Sequence, residues 1–423
     1  IKALTLQQKS TPAKFHLDEI KVGPLCGTGG FSSVYEISSL KTISDHPDFT
    51  LTENKARKNL VDSCKITKGK GRYALKHLRP KLMQKPKKFA NGAIDLAVEA
   101  AYLSSLDHPN ILKIRGVSAN GVDGLAKGKH NSYYLIIDRL EKTLEDRISE
   151  WRKQLKRLNN KLYAKFMDKK GKKRAKLLAE RLRVAHDIAS AMDYLHRQRL
   201  VYRDLKSSNL GFDADGKVQL FDFGLCRELL PSKEESGKGD ENEVFKMSGG
   251  VGTYRYMAPE VARKLHYNQK ADVYSYGMVL HEILSLNQPS LDKKHKNNDD
   301  EVPIIAEGSL RLCKCWPQAL RDMITLCTSH DIAKRPTMKQ ICSVLQYQIA
   351  ALVGKNDIVD SEEKVRSVTT TTTTTCLLDK ATSLTRINNK SSKPIRDSPV
   401  YSATTGTSRT LSLGPSTIST GYQ

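Results

Sequence analysis

The segment Tyr202-Arg203-Asp204-Leu205-Lys206-Ser207-Ser208-Asn209, with Asp222-Phe223-Gly224 a short way downstream, decides how this chain is read. It places a carboxylate, a lysine and an amide in one short loop. A carboxylate can accept a hydroxyl proton, a lysine can neutralise a phosphoryl group, and an amide oxygen can bind a divalent cation. The loop follows a predicted helix: Leu178, Leu182, Ala185, Ala189 and Met192 step by three and four, and the pattern ends near His196. Asp222 comes after the apolar pair Leu220 and Phe221, at a strand end where a cation can be held. Alone, such an aspartate is ordinarily a turn residue; the company of the first loop gives it weight.

Toward the N-terminus, Gly27-Thr28-Gly29-Gly30-Phe31-Ser32-Ser33-Val34 reads as strand, tight loop, strand. Glycines there let backbone amides approach phosphate oxygens, although a plain hairpin uses glycine too. Tyr73-Ala74-Leu75-Lys76 falls on a predicted strand at 72–78, and Glu99 on a predicted helix from about Asp95 to Leu106. Leu96, Glu99 and Leu103 share one face of that helix. A strand lysine can reach phosphates, and a carboxylate opposite can hold it in place; without the other motifs Lys76 would be an ordinary surface lysine. A short apolar strand is expected at 133–137. Toward the C-terminus, Ala258-Pro259-Glu260 precedes a segment at 273–286 that is apolar around most of its circumference, as a core helix would be. Further helices fit 317–327 and 337–352.

In this order the motifs resemble the signature set of eukaryotic protein kinases, over residues 18–353. The resemblance implies an α+β, two-lobed fold: a small β-rich N-lobe with one helix at about 18–137, and a larger helical C-lobe at about 141–353, with ATP between them. It implies that Gly27, Thr28, Gly29 and Gly30 cover the phosphates and that Val34, Ala74, Asp138 and Leu140 line the nucleotide site. By the same resemblance Lys76 contacts phosphates and pairs with Glu99, Asp204 accepts the substrate proton, Lys206 steadies the γ-phosphoryl group, and Asn209 and Asp222 hold Mg2+. Asp272 matches the family's anchor for the catalytic loop, and Arg335 the partner of Glu260. Lys206 with Thr253 implies transfer to Ser and Thr hydroxyls of protein substrates, and residues 252–260 with 327–335 are similar to the tyrosine-kinase-like branch. The alternative, a pseudokinase scaffold, typically lacks the equivalent of Lys76, Asp204 or Asp222; all are present. Arg203 implies control by phosphorylation of the segment from Asp222 to Glu260. Ser248 is the candidate acceptor, ahead of Ser236, whose neighbours Glu234, Glu235, Asp240, Glu241 and Glu243 would repel a phosphate. The bland alternative is that Ser248 is a flexible loop residue.

Three positions depart from the family pattern. Ser32 stands where a third loop glycine is usual. Tyr202 replaces a histidine and is expected to stack under Phe223. Gly211 falls where the family has an apolar side chain beneath the adenine ring, and its loss removes contact worth about 1–2 kcal/mol unless a neighbour fills the space. Two insertions are expected: a surface loop at 38–71, and a basic stretch at 151–176 that is either a solvated helix face or a docking surface for an acidic protein partner. Residues 1–20 are polar and read as a lead-in strand or arm, the arm itself placed at 1–17. Residues 354–423, rich in Ser and Thr with a threonine run at 369–375, read as a disordered tail.

The chain's 423 residues allow about two or three domains. A formal net charge of +24 favours acidic partners without choosing among them. No nucleic-acid-binding motif accompanies the charge, and no apolar run reaches the ~20 residues of a spanning helix. Eight cysteines in a chain of this length do not suggest a disulfide framework. Reduced thiols and a cytoplasmic or nuclear setting are the expectation.

Overall fold

The computed structural model describes residues 11–42, 49–64, 71–126, 128–160, 168, 171–229, 244–290 and 305–366, the last with side chains to 353. Nearly all of them lie in one compact unit, Ile1–Glu362; the other unit is Glu363–Gln423. The threonine run, Ser236 and its acidic neighbours fall outside the described residues.

The N-lobe is built from β1 (Ala13–Phe15), β2 (Ile20–Thr28), β3 (Ser32–Leu40), α1 (Leu51–Ser63), β4 (Tyr73–Leu78), α2 (Pro86–Ser105), β5 (Ile114–Ser118), α3 (Asp123–Ala126) and β6 (Tyr134–Asp138). Its strands form one sheet in the order β1-β5-β6-β4-β3-β2, in which only the β1–β5 pair is parallel. Successive strand residues face opposite sides of a sheet, and here both sides are covered. Ala74, Leu78, Leu135 and Ile137 join the main core with α2. Tyr73, Leu75, Tyr134 and Ile136 face the other way, into a second core completed by Phe15, Ile37 and Leu60 of α1. Hence every residue of β4 is buried, and the strand shows no alternation.

The 38–71 stretch is therefore more than a surface loop. Its middle is a helix, α1, capped by Thr50, whose hydroxyl accepts from the Glu53 amide. Arg57 of α1 is fully buried and pairs with the equally buried Glu19. Its guanidinium lies 4.0 Å from the Phe49 ring centroid and 5.3 Å from that of Phe15. Of the lead-in strand and the arm expected at the start of the chain, the described residues form a strand, β1, at the edge of the sheet. One other expectation also needs correction. The helix bearing Glu99 starts at Pro86, not Asp95: proline suits a helix's first turn, but Asn91 and Gly92 weaken the apolar signal there.

The C-lobe comprises β7 (Lys142–Thr143), α4 (Leu144–Leu158), α5 (Lys172–Arg197), β8 (Leu200–Val201), β9 (Leu210–Phe212), β10 (Val218–Leu220), β11 (Arg227–Glu228), α6 (Pro259–Ala262), α7 (Lys270–Ser285), α8 (Gln318–Cys327) and α9 (Met338–Arg366). α7 is buried along almost its whole length, as its unbroken apolar pattern required. One arginine of the basic stretch, Arg152, and another just beyond it, Arg181, serve its C-terminal end. Arg152 of α4 donates to the Leu286 carbonyl, with Nε at 2.8 Å, and Arg181 of α5 donates to those of Ile283 and Leu284 at 2.9 and 2.6 Å. Cations at the negative end of a helix dipole satisfy carbonyls that the helix leaves open. Burial pulls Arg181 down to about 10, still charged at neutral pH. Lys153, Lys156 and Arg157 stay exposed on α4.

Among the cysteines, Cys313 and Cys315 are bonded to each other, against the expectation of free thiols; the bridge closes a minimal loop and staples no distant segments. No described helix is long and apolar enough to cross a membrane.

Candidate active site

Two short antiparallel pairings place the catalytic-loop motif. β8 pairs with β11 and β9 with β10, so the loop 202–209 and the turn at Asp222 are held side by side. Asp272, fully buried on α7, accepts the amides of Tyr202 and Arg203 at 2.8 Å each, which anchors the loop from below. The rings of Tyr202 and Phe223 meet edge-on at 5.3 Å, and the Tyr202 hydroxyl donates to the Phe221 carbonyl. Tyrosine thus replaces histidine here with its polar end satisfied. Arg203 and Asp222 both adopt positive φ, +73° and +69°. Non-glycine residues are held in that region at a cost of about 1–3 kcal/mol, and such strain gathers at functional sites.

Asp204 is the hub of the loop. Its Oδ2 accepts from Lys206 Nζ at 2.7 Å and from Asn209 Nδ2 at 3.0 Å, and its Oδ1 from Thr253 Oγ1 at 2.9 Å. Lys206 Nζ also donates to Thr253 Oγ1 at 3.0 Å. Asn209 Nδ2 further donates to the Asp204 carbonyl at 2.9 Å.

On the N-lobe side, β4 presents Lys76 to α2, where Nζ donates to Glu99 Oε2 at 2.5 Å and lies 3.6 Å from Asp222 Oδ1. Burial works against the ammonium, but the Glu99 and Asp222 carboxylates outweigh it and hold Lys76 above its ordinary pKa. Asp222 itself keeps 48% of its side chain exposed, so its carboxylate opens onto the cleft. The glycine-rich segment is the β2–β3 hairpin, closed by the Gly29 amide donating to the Ser32 carbonyl at 2.8 Å. Open space surrounds the Cβ positions of Gly27 and Gly30, and a Cβ on Gly92 of α2 would come within 2.9 Å of Phe31. The hairpin tip thus rests on α2.

A cavity of about 230 Å³ is lined by Gly29, Gly30, Lys76, Glu99, Asp204, Lys206 and Asp222 among others. Gly27, Thr28, Val34, Ala74, Asp138, Leu140 and Asn209 do not line it. Val34 pairs with Lys76 and Gly27 with Val34, Ala74 pairs with Ile137, and Asn209 sits behind Asp204. The Asp138 carboxylate is turned to Arg115, which donates to it twice, at 2.8 and 2.7 Å, and the Asp138 amide donates to the Lys113 carbonyl at 3.2 Å, which leaves its own carbonyl as the group to offer a nucleotide. Sequence reasoning missed Asp95, which lines the cavity and packs on Gly224; its i−4 spacing from Glu99 on one helix face was the available signal.

Behind the site, Arg335 grips Glu260 with both nitrogens at 2.6 and 2.8 Å, and both residues are buried. Arg203 reaches forward: Nε donates to the Leu225 carbonyl at 2.6 Å, and Nη1 donates to Ser248 Oγ at 2.8 Å and to the Tyr267 hydroxyl at 3.2 Å.

Residues 59–345, about two thirds of the chain, match the family described as protein kinase domain. The chain belongs to the protein kinase family. The match begins inside α1, so the kinase's glycine-rich hairpin precedes it and is placed by the fold alone. Serine/threonine-protein kinase STY46 of Arabidopsis thaliana is 34% identical over 189 residues, 44% of this chain and 29% of that protein. Serine/threonine/tyrosine-protein kinase HT1 of the same plant is 34% identical over 175 residues, 39% of each chain. A probable serine/threonine-protein kinase of Dictyostelium discoideum, DDB_G0272254, is 28% identical over 259 residues, 59% of this chain but 16% of its own length. The kinase domain thus matches well under half the length of each of these relatives.

Proposed function

We propose that this chain is a working serine/threonine protein kinase that transfers the γ-phosphoryl group of ATP to protein hydroxyls with Mg2+. The observation that carries this reading is the Asp204 hub facing the same cavity as the Lys76–Glu99 pair and the open Asp222 carboxylate. Asp204 is oriented by its neighbours to accept a hydroxyl proton, and Lys206 stands beside it to neutralise charge on the transferred group. Glu99 fixes Lys76 toward the phosphates. The donor set fits a hard cation: Asp222 offers a carboxylate, and Asn209, whose nitrogen is committed to Asp204, offers its amide oxygen. Bound there, Mg2+ would draw charge from the phosphate oxygens. Phosphoamino-acid analysis of a peptide library treated with the purified protein and labelled ATP tests the reading. Phosphoserine and phosphothreonine are expected; a product dominated by phosphotyrosine, or no transfer at all, would sink it.

The same reading includes control at Ser248. Its hydroxyl already accepts from Arg203, is exposed to a modifying enzyme, and is followed by Gly249, whose missing Cβ lets Lys264 come close. A phosphate adds a charge of about −2 and would pair with Arg203. Ser248→Ala is expected to lower activity roughly tenfold, the scale of one charge-assisted hydrogen bond. Arg203→Ala should cost more, since it also frees the Leu225 carbonyl. Combined, the two changes should lose no more than Arg203→Ala alone. Multiplicative losses would refute the pairing, because coupled residues are non-additive. Mass spectrometry of active enzyme should find the phosphate.

A further inference from the structure

Gly211 leaves no hole. It lies at the centre of β9, between Leu210 and Phe212, whose side chains are buried in the main core. By strand alternation residue 211 faces the other way. A Cβ built there would come within 2.6 Å of Leu140 Cδ1 and 3.3 Å of both Leu140 Cβ and Cγ. The leucine's branched end therefore lies against the bare backbone of Gly211. It cannot easily be pushed aside, because the segment joining the lobes is tied at both ends. Ahead of it, the Arg139 amide donates to the Arg72 carbonyl at 3.0 Å and Arg139 Nε to the Gly71 carbonyl at 2.6 Å. Behind it, the Glu141 amide donates to the Phe212 carbonyl at 2.7 Å, and Thr143 pairs with Gly211.

The cleft's polarity says what this contact faces. Its charged end is the cavity at Lys76 and Asp222. From Lys76, opposite Leu135, two residues along β4 lead to Ala74, opposite Ile137, and then to the joining segment. This far end is apolar: Val34 and Leu140 pack on the same core as Ala74 and Ile137. Phosphates held at the first end put a purine at the second. Resting on the ATP reading above, we propose that Leu140 is the specificity-determining side chain of the base site, a floor delivered by the lobe-joining segment onto Gly211, which stays bare to admit it.

The test is a reciprocal swap, read as dissociation constants for MgATP and for magnesium tripolyphosphate, which has no base. Leu140→Ala is expected to weaken MgATP about tenfold, as loss of much of a buried leucine contact should, and to leave tripolyphosphate unchanged. Gly211→Leu alone should clash. The double variant Leu140→Ala/Gly211→Leu should fold and bind MgATP several-fold more tightly than Leu140→Ala. The comparison of the double variant with Leu140→Ala holds even where Gly211→Leu alone does not fold. The proposal is overturned if Leu140→Ala binds MgATP like the wild type, if tripolyphosphate weakens equally, or if the double variant fails to fold or binds no better than Leu140→Ala. Failure of the wild type to bind MgATP would instead remove the kinase reading beneath it.

Discussion

Asp204→Ala is expected to bind MgATP about as well as the wild type and to transfer its phosphoryl group about a thousandfold more slowly, within the range for losing a positioned general base. The reason lies in what Asp204 touches. Lys206, Asn209 and Thr253 all donate to its carboxylate, and Asp222 is not among its partners. Removing it disorders the hydroxyl-accepting end of the site and leaves the Lys76–Glu99 pair standing. Asp222→Ala should behave differently. Its carboxylate faces the cleft and lies near Lys76, so on the function proposed above its loss should remove a cation ligand as well as activity. Nucleotide binding should then lose its dependence on magnesium. Titration of a fluorescent ATP analogue with and without magnesium, beside single-turnover transfer, separates the two variants. Both carboxylates are on the surface of a cleft, so circular dichroism should confirm intact folds. If either variant transfers at the wild-type rate, its role is misassigned. If Asp204→Ala loses binding and Asp222→Ala keeps it, the two roles are reversed.

What the sequence offered for this site was the order and spacing of its motifs: the resemblance to the kinase signature set, not the chemistry of any one side chain, singled out Asp204, Thr253, Asp272 and Arg335. What the sequence hid were contacts between residues far apart in the chain. Gly211 reads as a loss; only the fold shows that Leu140 fills the space. The N-lobe's outer core was hidden by a different cause. Residues 51–63 show no apolar stripe, Leu51 is almost fully exposed, and the most buried side chain on the helix is an arginine. Pattern reading assigns arginine to the surface because buried charge is rare without a partner. Glu19, the partner, lies well before it in sequence, in a polar lead-in that gives no sign of a buried carboxylate. The strand alternation expected of an exposed sheet face was absent from Tyr73–Leu78, and that absence was the one local hint of a covering element.

That outer core supplies the largest stability effect expected from one side chain. Arg57→Ala would strip the guanidinium from beside Phe49 and Phe15 and remove the buried ion pair with the Glu19 carboxylate, which has no side-chain exposure. Breaking a buried ion pair from one side costs about 3–5 kcal/mol. For a domain of this size that lowers the melting temperature by roughly 10 °C. Glu19→Gln should cost less, because the amide still accepts from Arg57 and from the His16 amide, which now donates to the Glu19 carboxylate at 2.8 Å. The paired change Arg57→Met/Glu19→Gln should recover part of the loss, since neither buried charge remains to be desolvated. Differential scanning calorimetry gives the ordering, and hydrogen exchange gives the place. Amides of β3 and β4 should lose protection in Arg57→Ala, because α1 covers that face of the sheet, while those of α7 should keep theirs. An Arg57→Ala protein that melts with the wild type would show that α1 is dispensable to the N-lobe. Faster exchange in α7 than in β4 would show that the damage is global and not confined to the outer core.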